Sequence, residues 1–190
     1  MRLLSHGIIK ITHQREGVKT KMVSVETLTT PVGRLCIIAD GGGLKEIHIK
    51  RLPPINTIKS RYGKITEGYS HVVETVIAQL EKYFRGERVF FDGIPLNPEG
   101  TAFLKGVWAA MREIPYGEVR TYGELARKLE TSPRAVGLAC RMNPIPIVVP
   151  CHRVVAGDLS LYNYSGGLEI KRKLLELEGI KTAGGRIIIP

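Results

Sequence analysis

Cysteine, aromatic residues and long apolar runs are all scarce in this chain, and each scarcity excludes something. The three cysteines, Cys36, Cys140 and Cys151, include no Cys-x-x-Cys pair. An odd count without paired spacing excludes a disulfide framework and does not fit a structural zinc site. A free thiol in a reducing compartment is what remains. No stretch approaches the roughly 20 apolar residues of a membrane-spanning helix. Residues 1–21 are basic but lack an apolar core followed by a small-residue cleavage site. These absences lead us to expect a soluble, cytoplasmic protein with no membrane partner. Acidic side chains are also short: 18 Asp and Glu stand against 28 Lys and Arg, a formal charge of +10. Such an excess favours an anionic partner, and nucleic acid is the commonest large one.

At 190 residues the chain can form one large domain or two small ones, each with a modest core. Residues 1–21 show no sustained period and read as a basic extension. "MVSVETLTT", "RLCIIAD" and the alternating "LKEIHIK" then read as strands broken at Pro-Val-Gly and at "DGGG". No Gly-Lys-Ser/Thr follows those glycines, so a hairpin turn is preferred over a phosphate loop. "LPPINT" reads as a loop. Val72, Val73, Val76, Ile77, Leu80 and Phe84 recur at helical spacing. "RGERVFF" reads as a short extended piece, and a proline-rich linker at 93–98 separates an N-terminal domain (22–92) from a C-terminal one (99–190).

The second half reads as helical. Leu104, Val107, Trp108 and Met111 form one stripe. "RTYGELARKLE" and "TSPRAVGLACRM" then read as two short helices joined by a tight turn. Ser132 before Pro133 is the pattern of an N-cap followed by proline in the first turn. Arg134 stands at the start of that second helix, and Ala135, Gly137 and Ala139 keep it slim. Close helix packing explains slimness as well as entry into a narrow groove does; an arginine beside free N–H groups adds weight to the second reading.

"PIPIVVPCHRVV", residues 144–155, carries the chemistry. Cys36 and Cys140 read as buried small hydrophobes. Cys151 follows a proline and precedes His152 and Arg153, and cationic neighbours favour a nucleophilic thiolate. In an extended segment neighbouring side chains point to opposite faces, so His152 need not touch the thiol directly; a water bridge could relay the proton, and an acid on another element could orient the imidazole.

"PCHRVV", with "RAVGLACRMNPIPIVV" before it and "NYSGGLEIKRKLLELEG" after it, resembles the O6-alkylguanine-DNA alkyltransferases, the methylated-DNA–protein-cysteine methyltransferases. The resemblance is dense from Phe103 to Gly179, including "IPYGEVRTYGELA", and looser over 22–90. It implies an α/β N-terminal domain, ribonuclease-H-like, with a small antiparallel sheet and a helix. It implies a mostly α-helical C-terminal domain with a winged-helix-like helix-turn-helix. It further implies direct-reversal repair, in which the protein flips O6-alkylguanine from duplex DNA and moves the alkyl group irreversibly to Cys151.

By the same resemblance His152 is the base through water, Glu178 orients it, and Asn143 is a hinge bonded near the active segment. Tyr122 crowds the phosphate and helps protonate the departing guanine. Arg134 fills the gap left by the flipped nucleotide. Thr121, Ser132, Ala135, Gly137 and Arg141 join Tyr122 and Arg134 in DNA binding. Pro146, Val154, Tyr164, Ser165 and Gly166 line the base pocket. The implied partner is double-stranded DNA carrying O6-alkylguanine, with O4-alkylthymine as a second candidate lesion. It is bound through the minor groove by a monomer, without a cofactor. Some members hold zinc in the N-terminal domain; here Lys45 stands where those have histidine, and no metal is expected. Three alternatives stay in view: a helix-turn-helix regulator without chemistry, a non-catalytic lesion binder, and a cysteine hydrolase. The first leaves Cys151, His152 and Glu178 unexplained, and the second replaces the motif cysteine that is present here. The third requires an oxyanion hole and multiple turnover.

Overall fold

A computed structural model describes residues 22–66 and 70–188. The extension assigned to residues 1–21 lies outside the described residues. The three expected strands form an antiparallel meander of β1 (Met22–Thr30), β2 (Gly33–Asp40) and β3 (Gly43–Ile49). β2 is central, and its alternation sorts two cores. Leu35, Ile37 and Ala39 enter the main core, whereas Cys36 and Ile38 join Val23, Ile58 and Tyr62 in a smaller cluster on the other face. A strand covered on both faces reads as continuously apolar, which is why "LCIIA" shows no polar alternation.

The cover on the second face is a helix that the sequence pattern concealed. α1 (Ile55–Tyr62) starts inside "LPPINT", so the loop reading there is corrected from Ile55 onward. Pro54 occupies its N-cap position, and only Ile58 and Tyr62, four residues apart, are buried. Two anchors in eight residues are too few to show a period. β4 (Lys64–Thr66) follows and pairs parallel with β1, giving the order β3-β2-β1-β4. The sheet therefore carries one parallel edge beyond the antiparallel strands expected. "RGERVFF" forms no strand. α2 (His71–Phe84) is N-capped by Ser70, whose side chain accepts from Val73 N, and it buries Val73, Val76, Leu80 and Tyr83.

The C-terminal half is built on α3 (Ala102–Arg112), which buries Leu104, Val107, Trp108, Ala110 and Met111. Trp108 donates Nε1–H to the Ala139 carbonyl at 2.9 Å and so ties α3 to α5 (Pro133–Arg141). β5 (Arg120–Thr121) leads into α4 (Tyr122–Lys128) and pairs parallel with β6 (Val154–Val155). α6 (Leu168–Leu177) packs behind, and β7 (Thr182–Ala183) with β8 (Arg186–Ile187) closes a hairpin. Among the described residues no helix is long and apolar enough to cross a membrane.

The two halves do not keep separate cores. One cluster runs from Val32, Leu35 and Ile37 through Val76 and Tyr83 to Met111, Ile145, Cys151 and Leu174. Backbone bonds stitch the seam: Ile47 N donates to Pro144 O at 2.8 Å, and Leu44 N to Pro95 O at 2.8 Å. Gly43 makes the second of these approaches feasible. Its φ is +136°, and a Cβ there would lie 2.4 Å from the Pro95 carbonyl oxygen. Gly43→Ala is expected to destabilise the protein by about 2–4 kcal/mol, from backbone strain and the clash together. Urea denaturation checks this; an unchanged midpoint would refute the close-packed seam.

Candidate active site

The loop before Cys151 is drawn inward by Asn143. Its Nδ2 donates to the Val149 carbonyl at 2.8 Å and to Cys151 Sγ at 3.1 Å, while its Oδ1 accepts from Ile145 N at 3.0 Å. Between them Ile147, fully buried, takes a φ of +76°. A β-branched residue there is strained by about 1–3 kcal/mol, so the surrounding packing holds this turn in place. Cys151–Arg153 then form one turn of 3-10 helix. The extended geometry considered from the sequence is thus corrected, and with three residues per turn the side chains fan in different directions.

Cys151 is 3% exposed. Burial pushes its thiol above the ordinary range, while the Asn143 donor and the charge of Lys171 act in the opposite direction. The Tyr164 hydroxyl is buried beside the thiol without a well-formed hydrogen bond. Lys171 is wholly buried, with Nζ donating to the Val154 and Leu161 carbonyls at 2.6 Å each; desolvation brings it down to about 8.

Glu178 is the acceptor around which the other groups gather. Oε1 accepts from Tyr83 OH at 2.7 Å, His152 Nε2 at 2.8 Å and Arg153 Nη2 at 3.0 Å. Oε2 accepts from Arg153 Nε at 2.8 Å and Gly117 N at 3.3 Å. Burial opposes the charge of this carboxylate, but His152 and Arg153 overcome that and hold it at about 2. Because the ionised carboxylate can only accept, His152 Nε2 carries the proton. Burial keeps the ring's pKa low, so the imidazole is neutral with its lone pair on Nδ1. Nδ1 is buried and has no hydrogen-bond partner among the described residues. A basic nitrogen, an oriented imidazole and a thiol held by an amide donor are the parts of an activated nucleophile.

Two family models cover most of the chain. The ribonuclease-like domain of 6-O-methylguanine DNA methyltransferase matches residues 23–98, and the DNA binding domain of the same enzyme matches residues 102–180. The chain belongs to the 6-O-methylguanine DNA methyltransferase family. A methylated-DNA–protein-cysteine methyltransferase of Methanosarcina mazei is 53% identical over 156 residues, covering 80% of this chain and 94% of its own length. The enzyme of that name from Haemophilus influenzae is 43% identical over 157 residues, covering 80% of this chain and 83% of its own. The Mycobacterium tuberculosis OGT crystallised in complex with DNA superimposes with a TM-score of 0.72 at 38% identity, covering 83% of this chain and 93% of that one.

The alkyltransferase elements named from the sequence fall on two neighbouring surfaces. On the helix-turn-helix, Thr121 and Ser132 are both N-caps, accepting from Glu124 N and Ala135 N; Thr121 and Glu124 complete a capping box. Arg134 is exposed at the start of α5, Ala135 and Gly137 are half-buried, and Arg141 is exposed at its end. The half-buried Tyr122 stacks edge-on with Tyr162, centroids 6.3 Å apart, and burial raises its hydroxyl pKa. Leu138 on α5 and Met142 at its C-cap, each more than half exposed, leave apolar side chains beside these polar ones. Near the thiol, a cavity of about 240 Å³ is bordered by Asn143, Pro146, Tyr164, Ser165 and Gly166. Val154 does not border it: it is fully buried in β6, opposite Arg120.

Tyr83, Gly117 and Lys171 were not singled out as site residues from the sequence, and Arg153, read there as a cationic neighbour of the thiol, is instead bonded to Glu178. Tyr83 lies 95 residues from Glu178, and its hydroxyl is indistinguishable from a core aromatic in a helical stripe. Lys171 sits in a charged helix, and only its spacing one turn before the buried Leu174 and Leu175 hints that it faces inward. The other cysteines are packing residues. Cys140 Sγ donates to Met111 Sδ at 3.5 Å and burial raises it to about 12, while Cys36 is raised to about 11 by burial first and Glu46 second. At Lys45, Nζ pairs with Asp40 at 3.2 Å, and among the described residues no three His, Cys, Asp or Glu side chains gather as metal ligands.

Glu178→Gln is expected to destabilise the fold by about 3–5 kcal/mol, because it leaves the buried Arg153 guanidinium without its counter-charge. In the unmodified protein the folded pKa of Glu178 lies below its unfolded value. Its contribution is therefore present above about pH 4 and is lost as pH falls toward 2. Chemical denaturation between pH 2 and 7 checks both statements: the variant should lose most of that acid dependence, and an unchanged profile would refute the assignment.

Proposed function

We propose that the protein is a methylated-DNA–protein-cysteine methyltransferase. It would repair O6-alkylguanine by one direct, irreversible transfer of the alkyl group to Cys151. The observation that carries this reading is the buried set of groups in the reactive turn: Asn143 donating to Cys151 Sγ, and the next residue, a neutral His152, with its Nε2 locked to Glu178. His152 Nδ1 takes the thiol proton through one water. Sγ then forms a bond to the alkyl carbon as the carbon–O6 bond breaks, its electron pair passing to O6. Tyr122, which burial keeps protonated at neutral pH, donates to the leaving guanine. The product is a thioether without a carbonyl for water to attack, so each molecule reacts once.

The target carbon is inside the duplex, which requires extrusion of the nucleotide. We infer that α5 enters the minor groove, because the half-buried Ala135 and Gly137 keep one flank of it low and Arg134 is exposed at its first turn. Thr121 and Ser132 present capped helix starts to phosphate. Arg141 lies where α5 meets the cavity, whose walls Pro146, Tyr164, Ser165 and Gly166 would close on the flipped base. Net positive charge supplies the sequence-independent attraction. O4-alkylthymine presents the same alkyl–oxygen bond and is a second substrate on this reading. Every residue of this site comes from one chain, so a monomer suffices for the transfer.

Intact mass after incubation with duplex DNA containing O6-methylguanine tests the transfer. One CH2 is expected on the wild type, mapped to Cys151, and none on Cys151→Ser; a folded, DNA-binding wild type without adduct would overturn the reading. Arg134→Ala is expected to slow transfer from duplex DNA by about tenfold or more, with little effect on a single-stranded substrate whose base is already unstacked. Equal slowing on both substrates would remove Arg134 from the extrusion step.

A further inference from the structure

Five donors reach the Glu178 carboxylate, which when ionised offers about four lone-pair sites. Three of them crowd onto Oε1: Tyr83 OH at 2.7 Å, His152 Nε2 at 2.8 Å and Arg153 Nη2 at 3.0 Å. Donors on one oxygen compete, because each draws on charge that the others would bond. His152 and Arg153 belong to the reactive turn itself. Tyr83 is the outsider, brought by α2 from 95 residues away.

The ring of Tyr83 is fully buried, edge-on to Phe84 at 5.3 Å and to Tyr116 at 6.1 Å, and tilted against Phe91 at 5.6 Å. A phenylalanine would fill the same space, so packing accounts for the ring and not for the hydroxyl. Among the described residues that hydroxyl has one partner, the acid of the site. Burial first, and the Glu178 charge second, raise it well above the ordinary range, so it stays a neutral donor at any working pH. The charged groups around the imidazole are Glu178, which favours its protonated form, and Arg153 and Lys171, which oppose that form together with burial. Tyr83 acts through the first of these.

We propose that Tyr83 is a positioning residue for alkyl transfer, through which the N-terminal half sets the strength of the Glu178–His152 bond and keeps His152 available as a neutral base. The inference rests on the alkyl-transfer reading above, in which His152 Nδ1 takes the thiol proton. Without the Tyr83 hydroxyl, Oε1 bonds Nε2–H more strongly and favours the imidazolium. That form has no lone pair on Nδ1 and cannot accept the proton. The bonds made and broken in the transfer are unchanged; the fraction of molecules ready to react is what Tyr83 controls.

Single-turnover transfer to the full-length protein from saturating duplex O6-methylguanine, followed between about pH 5 and 9, tests this. In Tyr83→Phe the acid limb of the rate profile should move to higher pH by about half a unit or more, with the alkaline plateau within about threefold of wild type. Replacing Tyr83 by 3,5-difluorotyrosine, a stronger donor of nearly the same shape, should move the limb to lower pH. That protein keeps both the bond and the packing, so its displacement decides the matter even where Tyr83→Phe is too unstable to assay. Tyr116→Phe is the control: its hydroxyl donates to the Leu177 carbonyl at 2.9 Å and not to Glu178, so its limb should coincide with wild type. Limbs that stay in place in both Tyr83 replacements would overturn the assignment, even if the rate fell uniformly at every pH. So would movement of both in the same direction, or a displacement that Tyr116→Phe reproduces. Absence of transfer to wild-type Cys151 would instead strike the parent reading.

Discussion

A single buried carboxylate holds the site and the fold together. Glu178 accepts from five donors brought by three segments: Tyr83 from α2, Gly117 from the loop after α3, and His152 with both reaching nitrogens of Arg153 from the 3-10 turn, while Glu178 itself stands at the C-terminal cap of α6. Taking a carboxylate out of water is unfavourable by several kcal/mol unless its lone pairs are filled. Here every lone pair has a donor, and one donor is a guanidinium. The same bonds that satisfy the charge fix the imidazole's tautomer, so stability and chemistry share one set of contacts.

That sharing explains why the two halves behave as one body around the site. Tyr83 belongs to the N-terminal half and ends on the acid of the C-terminal one. The main core is continuous between them, and β3 bonds to the segment at Pro144 that precedes the reactive turn. A ribonuclease-like domain with no apparent chemistry of its own therefore braces the loop on which the nucleophile sits. It also supplies one wall of the cavity next to it.

The environment of Cys151 is a compromise between access and activation. Burial alone would make the thiol unreactive, and three features counter it: an amide donor at 3.1 Å, a buried ammonium, and a neutral imidazole with a free lone pair. Lys171 is notable because its own burial lowers its pKa to about 8, and its hydrogen-bond partners are neutral carbonyls rather than carboxylates. Its charge is left to act on the thiol. Strain at Ile147, held by complete burial, belongs to the same economy, since the loop must turn sharply to present Cys151 at the head of a helical turn.

Much of this was legible in the residues themselves. β-rich runs bounded by turn residues located β1 and β2, period-2 alternation located β3, period-3.6 stripes located α2 and α3, and Ser132-Pro133 marked the start of α5. The ordered motifs around "PCHRVV" carried the family and its expected site. Local signals of this kind depend on the chain's own repeat and need no partner. What they could not carry was α1, with two buried anchors, or β4, three residues whose only reason to be a strand is an edge of β1 to pair with. Nor could they reveal that Tyr83 and Arg153 converge on Glu178, that Cys151 heads a 3-10 turn, or that Arg61 and Arg141 face one cavity. Those facts concern distances between segments far apart in sequence. They were decided only when packing into a common core fixed where each segment lies.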